Sequence, residues 1–315
     1  MNNTRRLTEG AVLLAIFSVL LLTFLYVPYI SVVSMFFLPL PFIIFTVKFG
    51  FKNSAVFGVA SLFISFIIGS LLAIPVTLLY GSLGMVVGYA IREKKGRFFL
   101  YISSTLTVSI GLLLQYIVSI LFLDVNVIEE TFEVTKQSFI RSMEILQAFG
   151  QQVPAEFTEE NIVTVFDMLK TLFPSLLVVS SFIAVYLILL VCGTILKRFK
   201  MPLPERIPFR EWKLPRSLIW YYVGVTLISF FVPFETGTFT NMAIVNLVFM
   251  LQVLFTIQGL SFVFFFAYNK RIAKAVPVIV AIFAMLTPIG LLLIRLLGII
   301  DIGFDLRQRV NQSKS

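Results

Sequence analysis

Chemistry inside an apolar protein needs ionisable or nucleophilic side chains, and this sequence provides few of them. It has no histidine, which excludes Ser-His-Asp triads, Cys-His pairs, His-ligated zinc and haem on a His ligand. The single cysteine, Cys192, sits in an apolar run, so it reads as a packing residue and no internal disulfide is possible. No Walker motif is present, so the chain does not itself hydrolyse ATP in the P-loop manner. Of the charged residues, only Arg295 lies clearly within an apolar stretch, and it reads as snorkelling to an interface. No acid lies near the middle of such a stretch, which counts against a proton- or ion-coupled transporter. Gln115, Asn246, Gln252 and Gln258 read as hydrogen-bonding groups between helices. We expect no catalytic residue, no cofactor, no metal site and no enzyme.

A different kind of signal comes from small residues four apart, which let two membrane helices approach closely. Ala11-x-x-x-Ala15 has this spacing near the N-terminus. Gly84-x-x-x-Gly88 has the GxxxG form, preceded by Gly81, and Gly58, Ser61 and Gly69 lie upstream. Gly84 and Gly88 read as helix-packing positions.

The elements that must carry these residues follow from composition. Of 315 residues, 59% are hydrophobic and 13% charged, and the mean hydropathy is +0.99. A soluble domain carries about 25% charged residues, so a soluble enzyme is excluded and an all-α, polytopic transmembrane helical bundle is expected. A spanning helix needs about 20 apolar residues. The apolar stretches 10–27, 31–47, 54–73, 75–91, 98–123, 173–196, 216–234, 239–267 and 276–299 predict about nine spans. Pro288 and Gly290 allow the last to be bent or re-entrant, which would leave eight. The break between the third and fourth is expected at Ile74-Pro75. No small-x-small cleavage site follows the first run, so it is expected to remain as a helix.

Charge orients these spans. Segments 1–9, 48–53, 92–97, 197–216 and 268–275 carry 18 Lys and Arg against four acids, whereas 124–172 and 235–238 carry three basic residues and ten acids. Positive charge on alternate connections predicts a multi-pass cell-membrane protein with a cytoplasmic N-terminus. The net charge of +9 is then an orientation signal and calls for no nucleic acid; the partner it implies is the lipid bilayer. Nine crossings would put the C-terminus outside, whereas Arg307, Arg309 and Lys314 favour the inside.

The chain divides into a six-helix membrane domain over 1–199 with an acidic external insert at 124–172, a basic Pro-rich cytoplasmic loop at 200–215, a three-helix extension over 216–300 and a polar tail at 301–315. Within the insert, Ile128, Phe132, Phe139, Met143 and Leu146 predict an amphipathic helix over 127–149. Pro154 interrupts, and Thr158 before Glu159 and Glu160 marks the start of another helix. Trp212, Trp220, Tyr221 and Tyr222 fit an interfacial aromatic belt, and the basic loop is expected to anchor on the membrane surface.

The basic N-terminus before "EGAVLLAIFSVLLL", and the stretch "FLPLPFIIFTVKFGFKNSAVFGVASLFISFIIG", resemble the S components of energy-coupling-factor vitamin transporters. Over its full length the sequence is similar to the YybS-like family of Bacillus-type polytopic membrane proteins. The first resemblance implies that Ala11 and Ala15 contact a coupling membrane subunit driven by cytoplasmic ATPases. It also implies a substrate-binding subunit of an ATP-driven importer that lacks its own ATPase. S components are shorter, ending after six helices, and no substrate-binding residue can be carried over. The alternative is a non-transporting membrane scaffold or regulator of the same fold, bound to another membrane protein.

Overall fold

The computed structural model describes residues 2–150, 158–232, 235 and 237–312, and their regular elements are all helices. Pro154 lies outside the described residues. The chain forms two compact units: Met1–Pro154 with Leu176–Arg206, and Ala155–Ser175 with Ile207–Ser315.

The first unit contains α1 (Asn2–Tyr26), α2 (Ile30–Ser34), α3 (Leu40–Phe49), α4 (Phe51–Arg92), α5 (Arg97–Leu123), α6 (Val127–Ala148) and the later part of α7 (Glu159–Arg198). Helix α1 buries Leu13, Phe17 and Leu21, a four-residue spacing that puts all three on one face. Phe17 meets Phe42 edge-on at 5.0 Å, and Phe42 meets Phe57 at 5.2 Å. Each such pair contributes about 0.5–1.5 kcal/mol beyond its buried area. Pro28, without an N–H, lies just past the end of α1, while Pro41 sits in the first turn of α3, where a missing N–H removes no bond.

Helix α4 is 42 residues long but doubles back on itself. Gly69 and Ser70 leave helical geometry, Ser70 at φ 53°, and the Ser65 and Thr77 hydroxyls bond to one another. In a straight helix residues 12 apart lie about 18 Å apart, so the legs 51–68 and 71–92 run antiparallel. The turn therefore falls at Gly69-Ser70, several residues before the expected Ile74-Pro75. The reason is steric: a Cβ on Gly69 would lie 2.6 Å from Leu25 Cδ1 and 2.9 Å from Ala73 Cβ. Pro75 is inside the second leg, and its carbonyl accepts a bond from Gln115 Nε2 at 3.0 Å.

The second unit contains the start of α7, then α8 (Ser217–Phe231), α9 (Phe239–Asn269), α10 (Ala275–Leu286), α11 (Pro288–Phe304) and α12 (Leu306–Gln312). Thr158 caps α7 through its hydroxyl, which accepts Asn161 N–H at 3.3 Å. Next to Pro174 the α7 backbone opens, and the Asn246 amide fills the gap. Its Oδ1 accepts Ser175 N–H at 2.9 Å and its Nδ2 donates to the Thr171 carbonyl at 2.7 Å. One side chain thereby replaces a helical i→i−4 bond, a recognised cause of helix bending.

Helices α10 and α11 meet at 118°. Thr287, in extended geometry, caps α11 by accepting Gly290 N–H, and Pro288 begins the helix, the pairing expected of a helix start. Helix α11 runs on through residue 304 instead of ending near 299.

Among the described residues, by length and composition five helices can cross a membrane, or six if the bent α10–α11 pair is one span. The difference from about nine has three sources. The folded α4 counts once, the stretch 31–47 is split between α2 and α3, and α8 has only 15 residues.

The approach of α3 to α4 generates a prediction. A Cβ on Gly84 would lie 2.5 Å from the Pro39 carbonyl oxygen, and one on Gly88 would lie 2.5 Å from Thr46 Cβ. Gly88→Val should lower stability by about 1–3 kcal/mol, read as a reduced thermal midpoint in detergent. Gly96, with open space around it, should accept Ala with little change.

Candidate functional site

Ala11 and Ala15 lie exposed on α1, on the face opposite the buried Leu13, Phe17 and Leu21. Gly84 and Gly88 lie on the second leg of α4 under Pro39, Phe42, Ile43 and Thr46 of the α3 region. The two pairs are therefore placed differently: the alanines face outward and the glycines face a neighbouring backbone of the same unit. Helix α6 forms over 127–148 with Asn126 as its cap, and none of its residues is buried.

Helix α5 carries a feature that spacing did not single out. The hydroxyls of Ser104, Thr105 and Ser109 are buried and have no hydrogen-bond partner. Ser103 and Thr107 of the same helix instead bond back to Phe99 and Ser103 carbonyls, the usual resort of a hydroxyl in a membrane helix.

The concentration of buried charge lies at one end of the second unit. Asp301 is fully buried on α11 and Arg307 on α12 is 8% exposed. Arg307 donates from Nε to Asp301 Oδ2 at 3.0 Å, from Nη1 to the Arg210 carbonyl at 2.9 Å and from Nη2 to Ser261 Oγ at 3.0 Å. Its guanidinium also lies 5.2 Å from the Phe265 ring centroid. Gln258 links two partners: its Nε2 donates to Asp301 Oδ2, and its Oε1 accepts Leu214 N–H at 2.9 Å. The Ser261 hydroxyl lies 2.7 Å from the Phe209 carbonyl and 3.0 Å from that of Trp212.

At the rim, Asp305 terminates α11 in left-handed geometry, φ 50°. Its carboxylate accepts Lys213 Nζ at 2.7 Å and Arg216 Nη2 at 2.9 Å. The bond from Lys213, helped by the nearby Arg216 charge, holds its carboxyl below the usual carboxylate range.

Residues 209–214 are thus pinned to α9 and α12 through their backbone, and Lys213 and Arg216 to Asp305 through their side chains, which goes beyond the expected membrane-surface anchoring. Trp212 packs on Phe209 at 5.4 Å and Tyr222 on Phe255 at 5.2 Å, while Trp220 and Tyr221 remain exposed. Asp305 and Arg307 of the tail lie at the same end of this unit as residues 209–216.

Beneath the polar cluster, α9 and α11 touch backbone to backbone. A Cβ on Gly259 would fall on the Ile294 carbonyl oxygen, and one on Gly298 on the Phe255 carbonyl oxygen. Sequence reasoning missed Asp301 and this glycine pair. An acid flanked by Ile299, Ile300 and Ile302 was the available signal, masked by ending the span too early. Arg295 is partly exposed, with its Nε buried and unpartnered.

Chemically, the cluster holds segments together. Three of the five N–H donors of Arg307 go to a carboxylate, a carbonyl and a hydroxyl of the same unit. Among the described residues no three of Asp, Glu and Cys gather into a metal-binding group.

Two predictions follow from this end of the molecule. Arg307→Gln leaves Asp301 buried without its charge partner, a change that costs about 3–5 kcal/mol. It should lower the thermal midpoint far more than Arg309→Gln. For Asp305 the folded pKa lies below the unfolded one. Its stabilisation is therefore full above about pH 4 and lost as pH falls through the folded value. The advantage of the wild type over Asp305→Asn in thermal stability should be present near neutral pH and shrink under acid.

Comparison with known proteins gives the same class. Residues 15–302 match the family model described as "Predicted membrane protein (DUF2232)". The chain is 32% identical over 310 residues to a Bacillus subtilis (strain 168) protein named "Uncharacterized protein YybS", covering 98% of this chain and 100% of the relative. No solved structure matches. The chain, an integral membrane protein by its apolar helices and by this match, belongs to the DUF2232 family.

Proposed function

We propose that this protein is a non-enzymatic, substrate-binding subunit of an ATP-driven importer, similar in role to an S component and dependent on a separate coupling subunit and cytoplasmic ATPases. The N-terminus would be cytoplasmic, as the distribution of Lys and Arg over alternate connections suggests. One observation carries the reading. Ala11 and Ala15 form a small-residue face on α1 that lies exposed among the described residues, and such a face admits a second helix at close range. The unpartnered hydroxyls of Ser104, Thr105 and Ser109 are the groups of the same unit suited to a polar ligand.

A second reading, a non-transporting membrane scaffold, draws on α6. That helix has an acidic, amphipathic sequence and no buried residue, so it offers a docking surface for another membrane protein. Deleting 200–214 does not test it, because residues 209–214 are tied into the second unit by Ser261, Gln258 and Arg307.

The deciding experiment is affinity purification of the tagged full-length protein in mild detergent, with and without Ala11→Leu/Ala15→Leu. Both alanines are exposed, so the double variant should fold normally. The wild type should retain a coupling membrane subunit with two ATPases, and the variant should lose them at least about tenfold. Retention of those subunits by the variant, or recovery of a different membrane protein without ATPases, overturns the importer reading.

A further inference from the structure

We infer that the second unit holds one anionic phospholipid, with its acyl chain in a cleft between α9 and α10 and its phosphate on the basic turn that joins them. The cleft has a volume of about 180 Å³, and all nine residues lining it are apolar. Phe262, Phe266 and Ala267 of α9 form one wall, Ile272 of the turn closes the end, and Pro277 and Val280 of α10 face them. From Phe262 to Ala267 the wall extends about 7–8 Å along the helix axis, a length suited to the upper methylenes of an acyl chain.

Charge supplies the second half of the site. Lys270, Arg271 and Lys274 stand within five residues on the turn bordering Ile272, and all three are exposed. Lys213 and Arg216 pair with Asp305, and Lys48 pairs with Glu9. Among the described residues the three cations of this turn make no ion pair. Three like charges side by side raise each other's energy, and an anion held between them relieves it. Phosphate accepts charge-assisted hydrogen bonds from both Lys and Arg. Basic pockets between membrane helices bind lipid headgroups in this way.

The apolar lining selects a lipid over other anions and over a peptide. A soluble phosphate would leave the cleft empty. A peptide or a second copy of the chain would bring backbone N–H and C=O groups into a cleft with no polar partner for them, at a cost of about 1–3 kcal/mol each. The surface of α10 beside the cleft is itself apolar and exposed at Val276, Ile279 and Phe283, so an acyl chain reaches the cleft without crossing a polar barrier.

The test is native mass spectrometry of the delipidated full-length protein in mild detergent. Dioleoylphosphatidylglycerol and dioleoylphosphatidylcholine are titrated separately at equal concentrations. The first phosphatidylglycerol adduct should form at roughly tenfold lower concentration than the phosphatidylcholine adduct. The triple change Lys270→Gln, Arg271→Gln, Lys274→Gln should abolish that preference, and Val280→Trp, which fills the cleft from a partly exposed position, should lower occupancy by both lipids. Lys94→Gln/Lys95→Gln, on a different basic turn, should leave the preference intact. Elution profile and thermal midpoint verify folding of each variant. Equal binding of the two lipids, an undiminished preference in the triple variant, unchanged occupancy in Val280→Trp or an equal loss in the Lys94/Lys95 variant each overturns the proposal. Displacement of phosphatidylglycerol by inorganic phosphate would assign the turn to a soluble anion, and a dimer lost in Val280→Trp would assign the cleft to a second copy.

Discussion

A backbone inside hydrocarbon has no water to complete its hydrogen bonds, so every interruption of a membrane helix must be repaired from within the protein. The interruptions of this chain are placed where such a repair exists. Beside Pro174 the Asn246 amide takes over the bond between Thr171 and Ser175. At Thr287 the side chain caps the helix that begins with Pro288. Where the chain turns sharply, at Gly69-Ser70, Ser65 and Thr77 join the two legs through their hydroxyls.

The same constraint governs the charged end of the second unit. Residues 209–214 present carbonyls and an N–H that belong to no long helix, and Ser261, Gln258 and Arg307 satisfy them. Arg307 has its own charge balanced by Asp301, so one guanidinium draws together three stretches of chain distant in sequence. Breaking a buried pair of this kind is far more damaging than never having built it. The pair is thus a strong constraint on where the tail rests, whatever its net contribution to stability. Below it, Gly259 and Gly298 bring α9 and α11 into backbone contact. That closeness keeps Gln258 within reach of Asp301.

Glycine faces and alanine faces have different consequences here. Gly84 and Gly88 are consumed by α3, and Gly259 and Gly298 by each other's helices. Ala11 and Ala15 lie exposed among the described residues, because the core contacts of α1 are made by Leu13, Phe17 and Leu21 on the other side. Sequence spacing alone did not separate these cases, since both satisfy the same small-x-x-x-small rule.

The amino-acid sequence by itself determined the solvent, the class of fold and most helix positions. A composition so poor in charge has no stable arrangement in water, and the apolar runs lie where the helices form. Thr158 as a helix cap and the amphipathic helix at 127–148 were legible too, because capping and periodicity are local properties. Three other features were decided by tertiary structure alone. The turn at Gly69-Ser70 in place of Ile74-Pro75 depends on Leu25 and Ala73 crowding against Gly69. The return of the tail depends on ion pairs spanning about ninety residues of sequence. The burial of Asp301 depends on Gln258 of α9, 43 residues away, which shares the carboxylate with Arg307. Each rests on a contact between segments far apart in the chain, and no window of sequence contains both halves of such a contact.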